Sequence, residues 1–196
     1  MILVILSKNS ISKLKTLKNL RFEKLLTDRL LLNSISSKDR ENIYQGLSNP
    51  AVIKYYGVSY SSLEETDEQM NWYTNLLKSN SGIWWAIRNS DTSEFLGAIG
   101  INDLHSEFRR AELGFWLLPE FWGKGFIKEA ADRVIGYLFK EIEIHRLEAY
   151  VETENKNSCK LLKKLGFQHE GRMVDCEIKN DNYISTDLFA LLNSDH

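Results

Sequence analysis

Two glycines and a lysine stand where an apolar run gives way to helical spacing: Trp122-Gly123-Lys124-Gly125-Phe126-Ile127. Glycine backbone lets an anion approach closely, and Lys124 carries a full positive charge. The first amides of a helix have no partner inside the helix and point outward. That combination is the chemistry of a phosphate site, most simply for a pyrophosphate. Two other phosphate patterns fail here. The dinucleotide pattern G-x-G-x-x-G begins at Gly123 and Gly125 but meets Lys128 where its third glycine belongs. The P-loop needs Gly-Lys-Ser/Thr, and Lys124 is followed by Gly125. The competing reading is a plain turn whose glycines only reverse the chain.

A second stretch, Val151 to Gly171, reads VETENKNSCKLLKKLGFQHEG. It resembles the second conserved segment of the GNAT superfamily of acetyl-CoA-dependent N-acetyltransferases, N-x-x-S-x-x-L-x-x-K-L-G-F. The turn WGKGFI resembles that family's pyrophosphate loop. The opening TDRLLL, Thr27 to Leu32, resembles the start of the branch that acetylates ribosomal-protein N-termini (alanine or serine). The resemblance runs from about Leu25 to Leu192. It implies a GNAT-like three-layer α/β/α domain over residues 25–196, with residues 1–24 as an extension. The implied sheet is mixed, mostly antiparallel, and splayed at an acetyl-CoA cleft.

The resemblance also implies roles. The pyrophosphate sits on the amides of Gly123, Lys124, Gly125, Phe126 and Ile127, with Trp122 in the first position of the family loop. Ile127 departs from the small residue expected there. The pantetheine arm pairs with the backbone of Trp116 and Leu118, and Asn155 contacts it or simply makes a turn. Amide formation needs a neutral amine and a stabilised thiolate. Many members use a tyrosine as acid, and at that position this chain has Leu162. In the ribosomal branch the serine of N-x-x-S serves; here it is Ser158, whose hydroxyl either hydrogen-bonds the thiolate or merely occupies a helix's first turn. Glu112 is the first candidate base and Glu152 the reserve. The aromatics Tyr55, Tyr56, Trp72 and Trp84 line the implied acceptor groove, or are packing residues. The expected reaction moves acetyl from acetyl-CoA to a primary amine, foremost a protein N-terminal α-amine. A small amine (aminoglycoside, polyamine, amino sugar) is the alternative, and a non-catalytic acetyl-CoA-binding module the second class. Monomer and homodimer both fit.

The elements that must position these residues are legible in the spacing. Leu113–Leu118 reads as a buried strand ended by Pro119. Ile127, Ala130, Ala131, Val134, Ile135, Leu138 and Phe139 recur at helical spacing. Arg29–Ile35 reads as a first strand, and a helix capped by Ser36 or Ser37 ends at Asn49-Pro50. Ser62 with Glu65 suits a capping box for a helix burying Met70, Tyr73, Leu76 and Leu77. Ile83–Arg88 and Phe95–Ile101 form a hairpin. His145–Glu152 is a strand, Asn157–Leu165 a helix with Gly166 beyond its end, and Phe167–Glu177 and Tyr183–Leu192 are closing strands.

Composition bounds the rest. The chain has 196 residues, 43% of them hydrophobic and 27% charged, which suits one ordinary domain with a sizeable core. A net charge of −2 advertises neither nucleic acid nor an anionic membrane as partner. Cys159 and Cys176 have no metal spacing and read as reduced thiols in a cytoplasmic protein. The histidines form no ligand pattern, so no metal is expected. Met1–Leu6 is too short to span a bilayer, and its basic residues follow the apolar run rather than precede it, unlike a signal peptide. Ile11, Leu14, Leu17 and Leu20 allow a short basic amphipathic helix, read as a peripheral extension packed on the domain rather than a surface or partner anchor.

Overall fold

Alternating apolar runs separated by turn residues become strands, and they join into one sheet. A computed structural model describes residue 21 and residues 23–195. The strands are β1 (Leu25–Leu26), β2 (Leu30–Ser34), β3 (Ile83–Asn89), β4 (Phe95–His105), β5 (Arg110–Leu117), β6 (Arg146–Glu152), β7 (Gln168–Lys179) and β8 (Asn182–Leu192). Their order is β1-β2-β3-β4-β5-β6-β8-β7. All neighbours are antiparallel except β5 and β6. The helices are α1 (Arg40–Leu47), α2 (Pro50–Ile53), α3 (Thr66–Lys78), α4 (Phe126–Tyr137) and α5 (Lys156–Lys164). The helix expected between Ile11 and Leu20 lies outside the described residues. Among the described residues no helix is long and apolar enough to cross a membrane.

The parallel pairing is short. Arg110, Ala111 and Glu112 face Arg146, Leu147 and Glu148, and beyond that point the two strands part. Parallel neighbours need a crossover, and α4 supplies it, packing on β1, β2, β4 and β5. Its Tyr137 meets Trp85 edge-on, with ring centroids 5.8 Å apart. The opposite face of β3–β5 carries α1 and α3. Here the Trp116 ring occupies the space that a β-carbon on Gly46 of α1 would take, and Trp84 does the same at Gly114. The result is the three-layer arrangement implied by the resemblance, with a mostly antiparallel sheet between helices.

Local signals account for most boundaries. Gly166, at φ +92°, ends α5 in the left-handed conformation that glycine tolerates. Asn49-Pro50 does end α1, but it also starts α2: Asn49 Oδ1 accepts from the Ala51 amide at 2.9 Å and Pro50 occupies the first helical position. The expected Ser62/Glu65 pairing forms on the Ser62 side, where Oγ accepts from the Glu65 amide at 3.2 Å, while the Glu65 carboxylate also accepts from the Ser61 amide at 2.8 Å. The helix after the glycine turn runs on from α4 as a π-helical turn, Leu138–Ile142.

Because Gly46 lets α1 sit directly on Trp116, Gly46→Val is expected to cost about 2–3 kcal/mol through overpacking. A urea melt checks this, and wild-type stability in the variant would show that α1 yields freely.

Candidate active site

Where β5 and β6 part, a cavity of about 550 Å³ opens. Glu112 reaches it from β5, Tyr150 from β6, and Asn155, Ser158 and Leu162 from the start and body of α5. Tyr55, Tyr56 and Tyr60 come from the loop after α2, Gln69 and Trp72 from α3, and Trp84 from β3. The structure therefore brings both candidate catalytic side chains, Asn155 and all four candidate groove aromatics to one cavity.

Glu112 is the perturbed group in it. Burial, followed by the charge of Asp103, pushes its carboxyl from 4.5 up to about 7; Glu148 and Glu177 add to the rise and Asn102 opposes it. Glu148 lies opposite Glu112 in the parallel register and is itself only 8% exposed. It is held by Arg110 Nη1 at 2.9 Å and Arg146 Nε at 2.7 Å, so each of its oxygens has a guanidinium partner. The reserve candidate Glu152 is differently placed. It accepts from Lys179 Nζ at 2.6 Å and does not line the cavity.

Asn155 is the cap of α5: its Oδ1 accepts from the Ser158 amide at 3.1 Å. The structure thus shows the turn-making reading of Asn155, with its carboxamide oxygen as the cap acceptor. The same bond fixes the backbone of Ser158 at the cavity wall.

The aromatic wall is also a packing unit. Trp72, Tyr73 and Trp84 rings meet at centroid distances of 5.3 to 5.7 Å, with Trp84 buried and Trp72 at the surface. Tyr60 donates to Gln69 Oε1 at 2.9 Å. Burial, with Tyr73 nearby, pushes the Tyr56 hydroxyl well above its ordinary value, so it remains a protonated donor.

On the other side of the parting lies the glycine turn. Gly123 and Gly125 adopt φ of +74° and +81°, which other residues adopt at a cost. A β-carbon at Gly123 would meet nothing within 4 Å, so the turn is open to an approaching group. Gly125 is the N-cap of α4 and has no side chain with which to cap it, which leaves the first amides of the helix available to an anion. A pyrophosphate fits these features.

The protein-family comparison matches an acetyltransferase (GNAT) domain to residues 29–168. The chain belongs to the GNAT acetyltransferase family. It is therefore an acetyl-CoA-dependent acyltransferase. YoaA of Bacillus subtilis, an uncharacterized N-acetyltransferase, is 36% identical over 172 residues, covering 87% of this chain and 97% of YoaA. Two solved structures share the fold. The spermidine N-acetyltransferase of Vibrio cholerae, in complex with CoA and spermine, has a TM-score of 0.77 at 23% identity, covering 86% of this chain and 98% of that one. The ribosomal L7/L12 α-N-protein acetyltransferase RimL, in complex with coenzyme A, has a TM-score of 0.79 at 20% identity, covering 87% and 98%. Among the described residues no cluster of three or more His, Cys, Asp or Glu could hold a metal ion.

Within this GNAT fold one expectation shifts by a residue. The Leu118 amide is bonded to Leu96 of β4 at 2.9 Å, and the Trp116 carbonyl oxygen abuts Gly97 of the same strand. Alternate residues of an antiparallel strand face alternate neighbours, so Trp116 and Leu118 turn their backbone toward β4. The edge facing the cleft belongs to Phe115 and Leu117, and the Leu117 carbonyl is taken by Trp122 Nε1 at 2.9 Å. Phe115 is the open backbone position. Tyr150, Tyr60 and Gln69 are cavity residues that the sequence reading missed. The alternation of Glu148, Tyr150 and Glu152 marks their shared face, but only the register with β5 shows that it is the face of Glu112.

With Glu112 titrating near 7, catalysis is expected to rise with pH through about 7, as the carboxylate forms, and Glu112→Gln is expected to lose that limb along with about 100-fold in rate. The folded value exceeds the ordinary one, so this group lowers stability as pH climbs from 4.5 toward 7 and fully above it. Glu112→Gln is accordingly expected to be more stable than the parent at pH 8 by about 1–2 kcal/mol, after allowance for partial solvent exposure, with no gain near pH 4. Rate–pH profiles and melts at both pH values check this.

Proposed function

We propose that this chain acetylates a protein N-terminal α-amine by direct attack, with Glu112 as general base and Ser158 assisting the departing thiolate. The observation that carries the proposal is that Glu112 and Ser158 reach one cavity from β5 and α5, on the two sides of the parting. Acetyl-CoA supplies the acetyl group as a thioester. The amides from Gly123 to Ile127 and the Lys124 charge hold its pyrophosphate, and Phe115 offers backbone groups to its pantetheine arm. An incoming ammonium rests against the Tyr55, Tyr56 and Trp72 wall, where ring faces favour cations. Glu112 removes its proton, and the Ser158 hydroxyl donates toward the sulfur as charge develops there.

The choice between amines follows from proton affinity. An α-amine has a pKa of about 8 and an alkylamine about 10.4. A base near 7 takes the proton from the first at a cost of about 1.4 kcal/mol, and from the second at about 4.6 kcal/mol. The second reading, a small polyamine, is favoured by a different observation: Glu68 lines the cavity, and the charges of Asp103 and Glu177 act on Glu112, which also lines it. Carboxylates in this number attract a cationic chain. The spermidine N-acetyltransferase of Vibrio cholerae has the same fold, as does RimL, so fold alone favours neither.

The test is thiol release from acetyl-CoA with a panel of peptides of varied N-termini and with spermidine, the product located by mass spectrometry. The expected product is an acetylated α-amine. Ser158→Ala is expected to lower kcat about 10- to 100-fold with coenzyme A affinity unchanged. Turnover of spermidine alone replaces the peptide reading with the polyamine one, and an unimpaired Ser158→Ala removes Ser158 from the mechanism.

A further inference from the structure

The opening segment Thr27-Asp28-Arg29 lies about a hundred residues from the glycine turn in sequence, yet it meets the first turn of α4. Thr27 Oγ1 donates to Glu129 Oε1 at 2.5 Å, and the Arg29 amide donates to the same oxygen at 3.0 Å. Arg29 Nε and Nη2 reach Glu129 Oε2 at 2.7 and 2.6 Å. The third guanidinium nitrogen, Nη1, donates to the Lys124 carbonyl at 3.2 Å, and the guanidinium lies 4.6 Å from the Phe126 ring centre. Thr27 is itself fixed by accepting from the Leu30 amide at 2.9 Å.

A glutamate in the first turn of a phosphate-binding helix is a liability. Left free, it competes for the helix's own amides and repels the anion they should bind. Here both of its oxygens are taken, and Arg29 balances its charge. Burial pushes the Glu129 carboxyl up, but the bonds from Thr27 and Arg29 outweigh that and hold it below the usual carboxylate range. The Lys124 contact acts on direction. In a trans peptide the C=O and the following N–H point opposite ways. Pinning the Lys124 carbonyl toward Arg29 therefore turns the Gly125 N–H away from it, to the open side of the turn.

We infer that Thr27, Arg29 and Glu129 form a clamp that sets the pyrophosphate loop for acetyl-CoA, making Arg29 and Thr27 positioning residues for the cosubstrate. The inference rests on the reading of Trp122–Ile127 as the pyrophosphate loop. The clamp explains why a threonine and an arginine stand two residues apart before β2: the hydroxyl takes one carboxylate oxygen, and two nitrogens of the guanidinium converge on the other.

The test is calorimetric titration with coenzyme A, alongside kinetics with acetyl-CoA and with S-acetylpantetheine, which lacks the pyrophosphate. Arg29→Ala is expected to weaken coenzyme A binding about 10- to 50-fold, since a carboxylate is left unpaired beside the anion. Glu129→Gln, isosteric and uncharged, is expected to weaken it by less than about 5-fold. The double variant Arg29→Ala/Glu129→Gln is expected to bind tighter than Arg29→Ala alone, because the repelling charge is gone. kcat/KM for S-acetylpantetheine is expected to stay within about 2-fold of the parent in all three. Unchanged coenzyme A affinity in Arg29→Ala overturns the clamp, as does an equal loss with S-acetylpantetheine, or a double variant weaker than Arg29→Ala. If Arg29→Ala fails to fold, Arg29→Lys, which keeps charge but not the fork, is measured instead and must weaken binding at least about 3-fold. Lys124→Glu tests the loop itself: coenzyme A affinity unchanged there refutes the loop reading, whereas a loss there with Arg29→Ala unaffected refutes only the clamp.

Discussion

The site depends on a sheet that stops being continuous after three residues. β5 is paired along its length with β4, from Glu112 opposite Asn102 to Leu117 opposite Gly97. β6 is paired along its length with β8, from Arg146 opposite Leu192 to Glu152 opposite Thr186. Each strand is thus fixed by its outer neighbour, and the inner edges meet only at Arg110–Glu112 and Arg146–Glu148. Beyond that, Phe115 presents unpaired backbone to the cleft, and unpaired strand edges are unfavourable unless something covers them. A ligand with amide groups along its length, as the proposed pantetheine arm has, is the natural cover for that edge.

The parting also distributes charge. At the last paired position two carboxylates, Glu112 and Glu148, stand side by side. They cannot both be ionised cheaply unless one is neutralised. Arg110 and Arg146 are both spent on Glu148, and Arg146 continues to Glu170 at 2.8 Å. Among the described residues Glu112 has no such ion-pair partner, and burial followed by the charge of Asp103 pushes its carboxyl up. The fold thus separates a structural carboxylate from a titrating one with two arginines on adjacent strands. On the far side of the cleft the same device appears in reverse, where Arg29 silences Glu129 so that the helix end stays positive.

Much of this was legible from the residues. The glycine turn, the hairpin at Asn89–Ser93 and the α5 stop at Gly166 all follow from local chemistry, because each is decided within a few residues; Glu112 is singled out only by what the family resemblance implies. What the sequence hid is decided by pairing. Side-chain alternation marks Tyr150 and Glu148 as sharing a face, but not whose cavity that face lines. Apolar spacing places Leu113–Leu118 in a buried strand, but says nothing of which backbone groups turn toward β4, so it does not distinguish Trp116 and Leu118 from Phe115 at the cleft edge. The partnership of Thr27 and Arg29 with Glu129 spans the sheet and one helix, and no periodicity reports it. Asn49-Pro50 shows a subtler limit: a helix stop and a helix start use the same two residues.

Burial, the largest cause of the Glu112 shift, also bears on how the proton moves. Carboxylates such as Asp103 and Glu177 raise the affinity of Glu112 for a proton, but they raise that of a nearby ammonium as well, so they leave the gap between the two nearly unchanged. Desolvation acts differently. Transfer from an ammonium to Glu112 turns a pair of charges into a pair of neutral groups, and a drier cavity favours the neutral pair over the ionic one. Closing an amine against Tyr56, Trp72 and Trp84 therefore does more than position it. It excludes the water that would keep the amine protonated and unable to attack. On the proposed reading the aromatic wall and the titrating carboxylate form a single device, in which the wall supplies the low polarity and Glu112 the place for the proton to go.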